Sequence, residues 1–116
     1  TEEVVRRQVE SALDDLDSAS PENFVIAYEP VWAIGTGLTA TPDEAERMHS
    51  LIREWIAGIL DNDFADNTRI QYGGSVKPEN AAEILSRPSV NGALVGGASL
   101  KPSSFMDILK AVPRQN

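Results

Sequence analysis

The chain has 116 residues, 41% of them hydrophobic and 24% charged, with no cysteine, one histidine and a formal net charge of −8. At this length a chain hides roughly 65% of the surface it exposes when unfolded, enough for one core and not for two. A thiolate or multi-histidine metal site is excluded, the acidic surplus opposes nucleic acid and anionic membranes, and no apolar run approaches the roughly 20 residues that span a bilayer.

The opening TEEVVRRQVE has no basic segment leading into an apolar stretch, so a cytoplasmic protein is expected. From Thr1 to about Asp17, Val4, Val5, Val9, Ala12, Leu13 and Leu16 recur at three- and four-residue spacing, as one apolar stripe of a helix. Ser18-Ala19-Ser20-Pro21 breaks it. The short apolar run Phe24-Val25-Ile26-Ala27-Tyr28 then reads as a parallel strand ending at Glu29. A loop of unusually apolar content follows, Pro30 to Gly37. Thr41-Pro42-Asp43-Glu44 combines a capping threonine, a first-turn proline and a glutamate three residues after the cap, opening a helix to about Leu60.

Along that helix, Leu51, Ile52, Trp55 and Ile59 form a core-facing stripe, Arg53 beside Glu54 reads as solvated face, and His49 reads as a packing or surface residue. Asp61, Asp63 and Asp66 read as a solvated turn, because a calcium loop would need a central glycine and a closing glutamate. Arg69-Ile70-Gln71-Tyr72 is the second strand, stopped by Gly73-Gly74 and followed by Ser75-Val76-Lys77-Pro78 and a helix through Leu85. Ala93-Leu94-Val95 is the third, running into Gly96-Gly97-Ala98-Ser99-Leu100-Lys101-Pro102 and a helix to about Ala111. Two successive units share one plan of strand, paired glycines, serine, Lys-Pro and helix.

Strands alternating with helices imply an α/β fold with parallel strands and right-handed crossovers. Three strands leave two open edges and an uncovered inner face, expected around Ile26, Ile70 and Val95, so more chain or another copy should complete the sheet. Function in such folds gathers at the carboxyl ends of the strands, where Glu29, Gly73-Gly74-Ser75 and Gly96-Gly97 all fall. Paired glycines let backbone N–H groups cradle an anion without Lys or Arg, or simply permit a tight turn. Glu29, beside Tyr28, Pro30 and Trp32 in apolar surroundings, suits a general base, and the adjoining loop suits a lid that expels water.

Ala27-Tyr28-Glu29-Pro30-Val31-Trp32-Ala33-Ile34-Gly35-Thr36-Gly37 resembles the active-site signature of the triosephosphate isomerase family. Tyr72-Gly73-Gly74-Ser75-Val76 and Leu94-Val95-Gly96-Gly97-Ala98-Ser99-Leu100 resemble that family's last two strand-to-helix loops, in the same order. The resemblance implies a partial (β/α)8 barrel: residues 1–116 would be a single, incomplete domain, the carboxyl-terminal half, from the fifth helix through the last three βα units. It implies a cofactor-free, metal-free interconversion of dihydroxyacetone phosphate and glyceraldehyde 3-phosphate through an enediol. The enzyme is itself a standard illustration of a tuned glutamate and a closing loop, so those features are the family's known properties.

Carried over by position, Glu29 is the base, Gly35, Ser75, Gly96 and Gly97 bind the substrate phosphate, and Pro30 to Ala40, through Leu38 and Thr39, form the lid that Tyr72 meets near Ala40. The family's lysine and carbonyl-polarising histidine belong to its first four strands, which have no counterpart here, so the chain alone is expected to be nearly inactive without its amino-terminal half. Leu38 stands where a lysine is common, and Ser89 and Asn91 stand where acids usually pair with Arg53. A non-catalytic half-barrel that self-associates and at most binds phosphate is the alternative, and a homo-oligomer is expected on either reading. Another phosphate-binding barrel enzyme would also use such glycines, although the Glu-Pro-Val-Trp lid argues against it.

Overall fold

The computed structural model describes residues 2–14, 20–31 and 40–113. The amphipathic opening forms helix α1, Glu2–Leu13, which buries Val9 and Leu13. Leu16 and the expected helix end near Asp17 lie outside the described residues. Val4 and Ala12, expected on the buried stripe, are instead exposed along an apolar groove of about 580 Å³ between α1 and the first strand, also lined by Val5, Ile26 and Val31. The stripe is wider than the surface available to cover it.

Asn23 closes a 3-10 turn over Pro21–Asn23, its Oδ1 accepting the Ser20 N–H at 2.8 Å. Strand β1 is Val25–Tyr28, and Phe24 precedes it, packing on the ring of Phe64 at 5.9 Å. Helix α2 is Pro42–Ile59, started as its sequence predicts: the Thr41 hydroxyl accepts the Glu44 N–H at 3.1 Å, with Pro42 in the first turn. It buries Ala45, Met48, His49, Ile52 and Ile56, with Leu51 and Trp55 half-buried and Ile59 39% exposed. Ile59 thus falls off the expected core stripe at the helix's last turn.

The acidic segment is no simple turn. Asp61 accepts the Phe64 N–H at 2.7 Å and caps a short helix α3, Asn62–Asn67, whose Ala65 is buried. Strand β2, Arg69–Tyr72, follows the sequence expectation, as does helix α4, Ala81–Leu85. Strand β3 is only Gly92–Ala93, shorter than the apolar run around it, and leads through a 3-10 turn, Gly97–Leu100, into helix α5, Pro102–Lys110.

The strands form one parallel sheet in the order β1-β2-β3. Ile26 pairs with Ile70 and Tyr28 with Tyr72, and burial shows that this parity faces the helices: Tyr28, Ile70 and Tyr72 are buried, and Ile26 and Val95 pack against the core. The uncovered face belongs to the other parity, where Val25 is 46% exposed, Ala27 and Arg69 are exposed and Gln71 is half-buried. Placing Ile26, Ile70 and Val95 on the open face was therefore one residue out of register, which in a strand inverts every side chain. An open three-strand parallel sheet is what part of a (β/α) barrel requires, and no helix among the described residues is long and apolar enough to cross a membrane.

Arg53 is no solvated face residue. Its guanidinium donates to the carbonyls of Ala65 at 2.6 Å, Thr68 at 2.8 Å and Ser89 at 3.1 Å, and to Asn91 Oδ1 at 2.6 Å. Asn91 Oδ1 also accepts the Ile70 N–H at 2.9 Å. One cation thus ties α2 to the entries of β2 and β3. At Ser89 and Asn91 the acceptors are a backbone carbonyl and an amide oxygen.

Candidate active site

Parallel pairing delivers the three strand ends to one rim. The Gly73 N–H donates to the Tyr28 carbonyl at 2.7 Å and the Leu94 N–H to the Tyr72 carbonyl at 2.9 Å, so the ladder continues one step past each strand. A methyl group at Gly73 would lie 3.7 Å from Glu29 Cβ, which sets the first glycine of β2's loop directly beside the glutamate. The rim encloses a cleft of about 890 Å³ whose lining includes Glu29, Gly73, Gly74, Ser75, Gly96 and Gly97. Every described site residue proposed from sequence as catalytic or phosphate-binding lines this one cleft. Gly35 and lid residues 32–39 lie outside the described residues, Leu38 among them.

Glu29 is exposed on the rim, between the buried Tyr28 and Pro30. The apolar enclosure expected around its carboxylate is not formed by the described residues. Lys77 and Lys101 also line the cleft, together with Glu79, so its charge is mixed where the sequence reading relied on backbone dipoles alone.

The two glycine pairs differ. At Gly74 a Cβ would fall 2.2 Å from the Tyr72 hydroxyl oxygen and 2.4 Å from its ring carbon Cζ, so only glycine lets the Tyr72 ring fold back beneath its own loop. At Gly96 and Gly97 an added Cβ would meet nothing within 4 Å. These two need no glycine for internal packing, and their backbone is open toward the cleft. Asn80 supplies a support that sequence reading missed: its Oδ1 accepts the Lys77 N–H at 2.8 Å and its Nδ2 donates to the Ser75 carbonyl at 3.0 Å. The signal for it was present, as an asparagine three residues after Lys77 at a helix start.

Behind the rim lies a buried polar seam. Tyr72 is fully buried, its hydroxyl without a hydrogen-bond partner, and burial together with Tyr28 pushes the phenol up while the facing Ala40 backbone opposes the shift. His49 is also fully buried, 5.8 Å from Tyr28 edge-on and 6.0 Å from Tyr72 between ring centroids. Burial lowers its imidazole to about 4, helped by Arg53 and opposed by the Ser89 backbone and Glu46, so it is neutral at pH 7. Neither ring nitrogen makes a hydrogen bond of full geometry, and the Ser89 backbone is the polar group that acts on the ring. His49 does not line the cleft, as its mid-helix position predicts, yet it touches the strand ends from behind. Among the described residues no cluster of His, Cys, Asp or Glu is arranged to hold a metal ion.

The chain is 54% identical over 113 residues to the triosephosphate isomerase of Rhodopirellula baltica, an alignment covering 97% of this chain and 44% of that protein. It is 54% identical over 110 residues to that of Carboxydothermus hydrogenoformans, covering 95% and 44%. Against that of Lactobacillus helveticus it is 52% identical over 108 residues, covering 93% and 43%. The chain therefore spans less than half the length of the curated relatives it matches. The family model described as triosephosphate isomerase matches residues 1–112, and since that match runs through all three strands and every loop of the rim, the chain belongs to the triosephosphate isomerase family.

Proposed function

We propose that this chain is the carboxyl-terminal half of a triosephosphate isomerase barrel, one incomplete domain, which interconverts dihydroxyacetone phosphate and glyceraldehyde 3-phosphate in the cytoplasm once its amino-terminal half is supplied. The observation that carries the reading is the convergence of Glu29, Gly73-Gly74-Ser75 and Gly96-Gly97 on one cleft. Glu29 takes a proton from the carbon beside the substrate carbonyl, and the resulting enediolate receives it back on the neighbouring carbon, so no cofactor or metal is needed. Ser75, Gly96 and Gly97, with Gly35 from the lid, bind the phosphate through backbone N–H groups. The lid, Pro30 to Ala40, closes over the intermediate, and Tyr72 receives its far end at Ala40.

Glu29 is exposed here, and the lysine and carbonyl-polarising histidine of the family come from strands this chain does not contain. Losing one oxyanion donor typically costs about 100- to 1000-fold in rate, and two are missing. The test is a coupled isomerisation assay on the purified chain, alone and mixed with the amino-terminal half of the R. baltica relative, each beside Glu29→Gln. The chain alone should match its mutant, and the mixture should turn over substrate with a loss of about 10²- to 10⁴-fold in Glu29→Gln. Enzyme-like, Glu29-dependent turnover by the chain alone would overturn the need for a second half. A folded mixture without Glu29-dependent turnover would overturn the isomerase reading.

The exposed apolar side chains favour a second reading. Leu94 is 52% and Leu100 84% exposed at the β3 end of the sheet, and both outer strands are unpaired among the described residues. A half-barrel of this kind self-associates through its edges and at most binds phosphate. A monomer by light scattering at high concentration would remove that reading, whereas a defined oligomer with no complementation by the other half would favour it.

A further inference from the structure

Asparagine is a chemically labile side chain, and Asn91-Gly92 is the one place in the 116 residues where asparagine precedes glycine. The pair lies at the tied end of the sheet, where the Asn91 N–H donates to the Ile70 carbonyl at 2.9 Å and Gly92 opens β3 opposite Gln71. Asn91 is exposed, and its two amide atoms are held differently. Oδ1 accepts from the Arg53 guanidinium at 2.6 Å and from the Ile70 N–H at 2.9 Å. Nδ2 makes no hydrogen bond among the described residues. Two donors converging on one carbonyl oxygen, one of them charged, stabilise the negative charge that nucleophilic attack develops there. The attacking group is next in the chain, since the Gly92 nitrogen can close a five-membered ring on Asn91 Cγ, and a residue without Cβ lets the backbone come closest. Packing does not demand that glycine: a Cβ at position 92 would rest 3.5 Å from Gln71 Cγ, in ordinary contact. β3 is two residues long and paired on one side only among the described residues, which leaves its entry room to move.

We propose that Asn91 is a self-modification site, where deamidation proceeds in an oxyanion cradle made by Arg53 and Ile70. The Gly92 nitrogen gives its proton to water and bonds to Cγ; the Cγ–Nδ2 bond breaks, and Nδ2 leaves as ammonia with a proton taken from water. Water then opens the cyclic imide at either carbonyl, leaving aspartate or isoaspartate at position 91 and one more negative charge. The aspartate product keeps Arg53 through an ion pair. The isoaspartate product adds a methylene to the main chain at the entry of β3 and disturbs the backbone bond to Ile70.

The test is peptide mapping by mass spectrometry of the full chain held at mildly alkaline pH, with isoaspartate measured by enzymatic methylation. A synthetic peptide of residues 86–96, which has the dipeptide without the cradle, is the reference. The folded chain should convert Asn91 at least as fast as the peptide. Gly92→Ala should slow conversion at least about tenfold in both, whereas Arg53→Lys, which keeps the charge and loses the planar fork, should slow it about tenfold in the folded chain. A folded chain slower than the peptide would make the strand entry a protected position and overturn the proposal. An Arg53→Lys chain that converts at the parent rate would overturn it equally. If Arg53→Lys fails to fold, the comparison of chain with peptide decides alone. None of these readouts uses substrate, so they stand apart from the isomerase reading.

Discussion

The same three strands end in two different ways. At their amino-terminal ends the Arg53 guanidinium reaches four acceptors from the segments entering β2 and β3, and Asn91 Oδ1 holds the Ile70 N–H as well. At their carboxyl-terminal ends Glu29, Ser75, Gly96 and Gly97 are exposed, and the buried groups behind them, His49 and Tyr72, keep polar atoms that make no hydrogen bond of full geometry. One end is tied together by a single cation; the other pairs part of its backbone locally, as Asn80 does for Lys77 and Ser75, and leaves the rest facing the cleft. The difference teaches how a barrel separates stability from chemistry: rigid ties at one end let the loops at the other stay open.

The sharpest way to break that comparison is to cut the tied end. Arg53→Ala removes a charged donor from three carbonyls and an amide oxygen at once, and should cost about 3 kcal/mol in urea unfolding, as a half-buried group losing several charge-assisted hydrogen bonds together. Arg53→Lys keeps the charge but loses the planar fork, so it should recover less than half of that loss. A cost below about 1 kcal/mol for Arg53→Ala would mean that the strand entries hold without their tie, and the contrast between the two ends would collapse.

At the open end the largest effect is a pH effect. His49 has its imidazole lowered by burial from the ordinary 6.5 to about 4. The unfolded chain therefore binds a proton between those values that the folded chain refuses. Stability from this group is fully present above pH 6.5 and is lost as pH falls toward 4, by about 3 kcal/mol across the window. Urea midpoints from pH 7 down to pH 5 should fall in the parent, and His49→Phe should flatten that slope. A parent slope equal to that of the Phe variant would place His49 in solvent contact and dissolve the seam.

Much of this arrangement was legible in the sequence, for identifiable reasons. Thr41-Pro42-Asp43-Glu44 announced α2 because capping is local chemistry, and Arg69–Tyr72 announced β2 because a short stretch stopped by Gly73-Gly74 and followed by a helix has few alternatives. The cleft was legible because parallel strands oblige their ends to meet. What sequence withheld was long-range. Arg53 looked solvated beside Glu54, since its acceptors lie 12 to 38 residues away. Ile26 looked like the open face because the run Phe24 to Tyr28 is apolar on both parities, and the alternation of Ile70 and Tyr72 with Arg69 and Gln71 does not say which side the helices cover; only their packing fixes which residues turn inward. Asp61 looked like a turn residue because one capping bond decides between a turn and the short helix α3.

A smaller effect separates the two glycine pairs. Gly74→Ala places a methyl group 2.2 Å from the Tyr72 hydroxyl oxygen, so the ring must leave its slot. The expected cost is about 2 kcal/mol in thermal or urea unfolding, typical of overpacking a buried site. Pairing the change with Tyr72→Leu should recover part of it, because the clashing atoms are then gone. Failure to recover any would move the cause from the ring to the loop backbone.

Gly96→Ala sharpens the comparison because its effect on stability should be the smallest of all. The added methyl meets nothing within 4 Å. Unfolding should therefore change by no more than about 0.5 kcal/mol. The same methyl projects where the proposed phosphate would approach, so titration of the reassembled barrel with inorganic phosphate should show at least about a tenfold weaker Kd, the equivalent of 1.4 kcal/mol. A residue that is neutral to folding and costly to binding is the signature of an open end reserved for a ligand. Unchanged phosphate affinity in Gly96→Ala would instead make this glycine a passive turn residue, and the phosphate contact would have to be sought at Ser75 and Gly97.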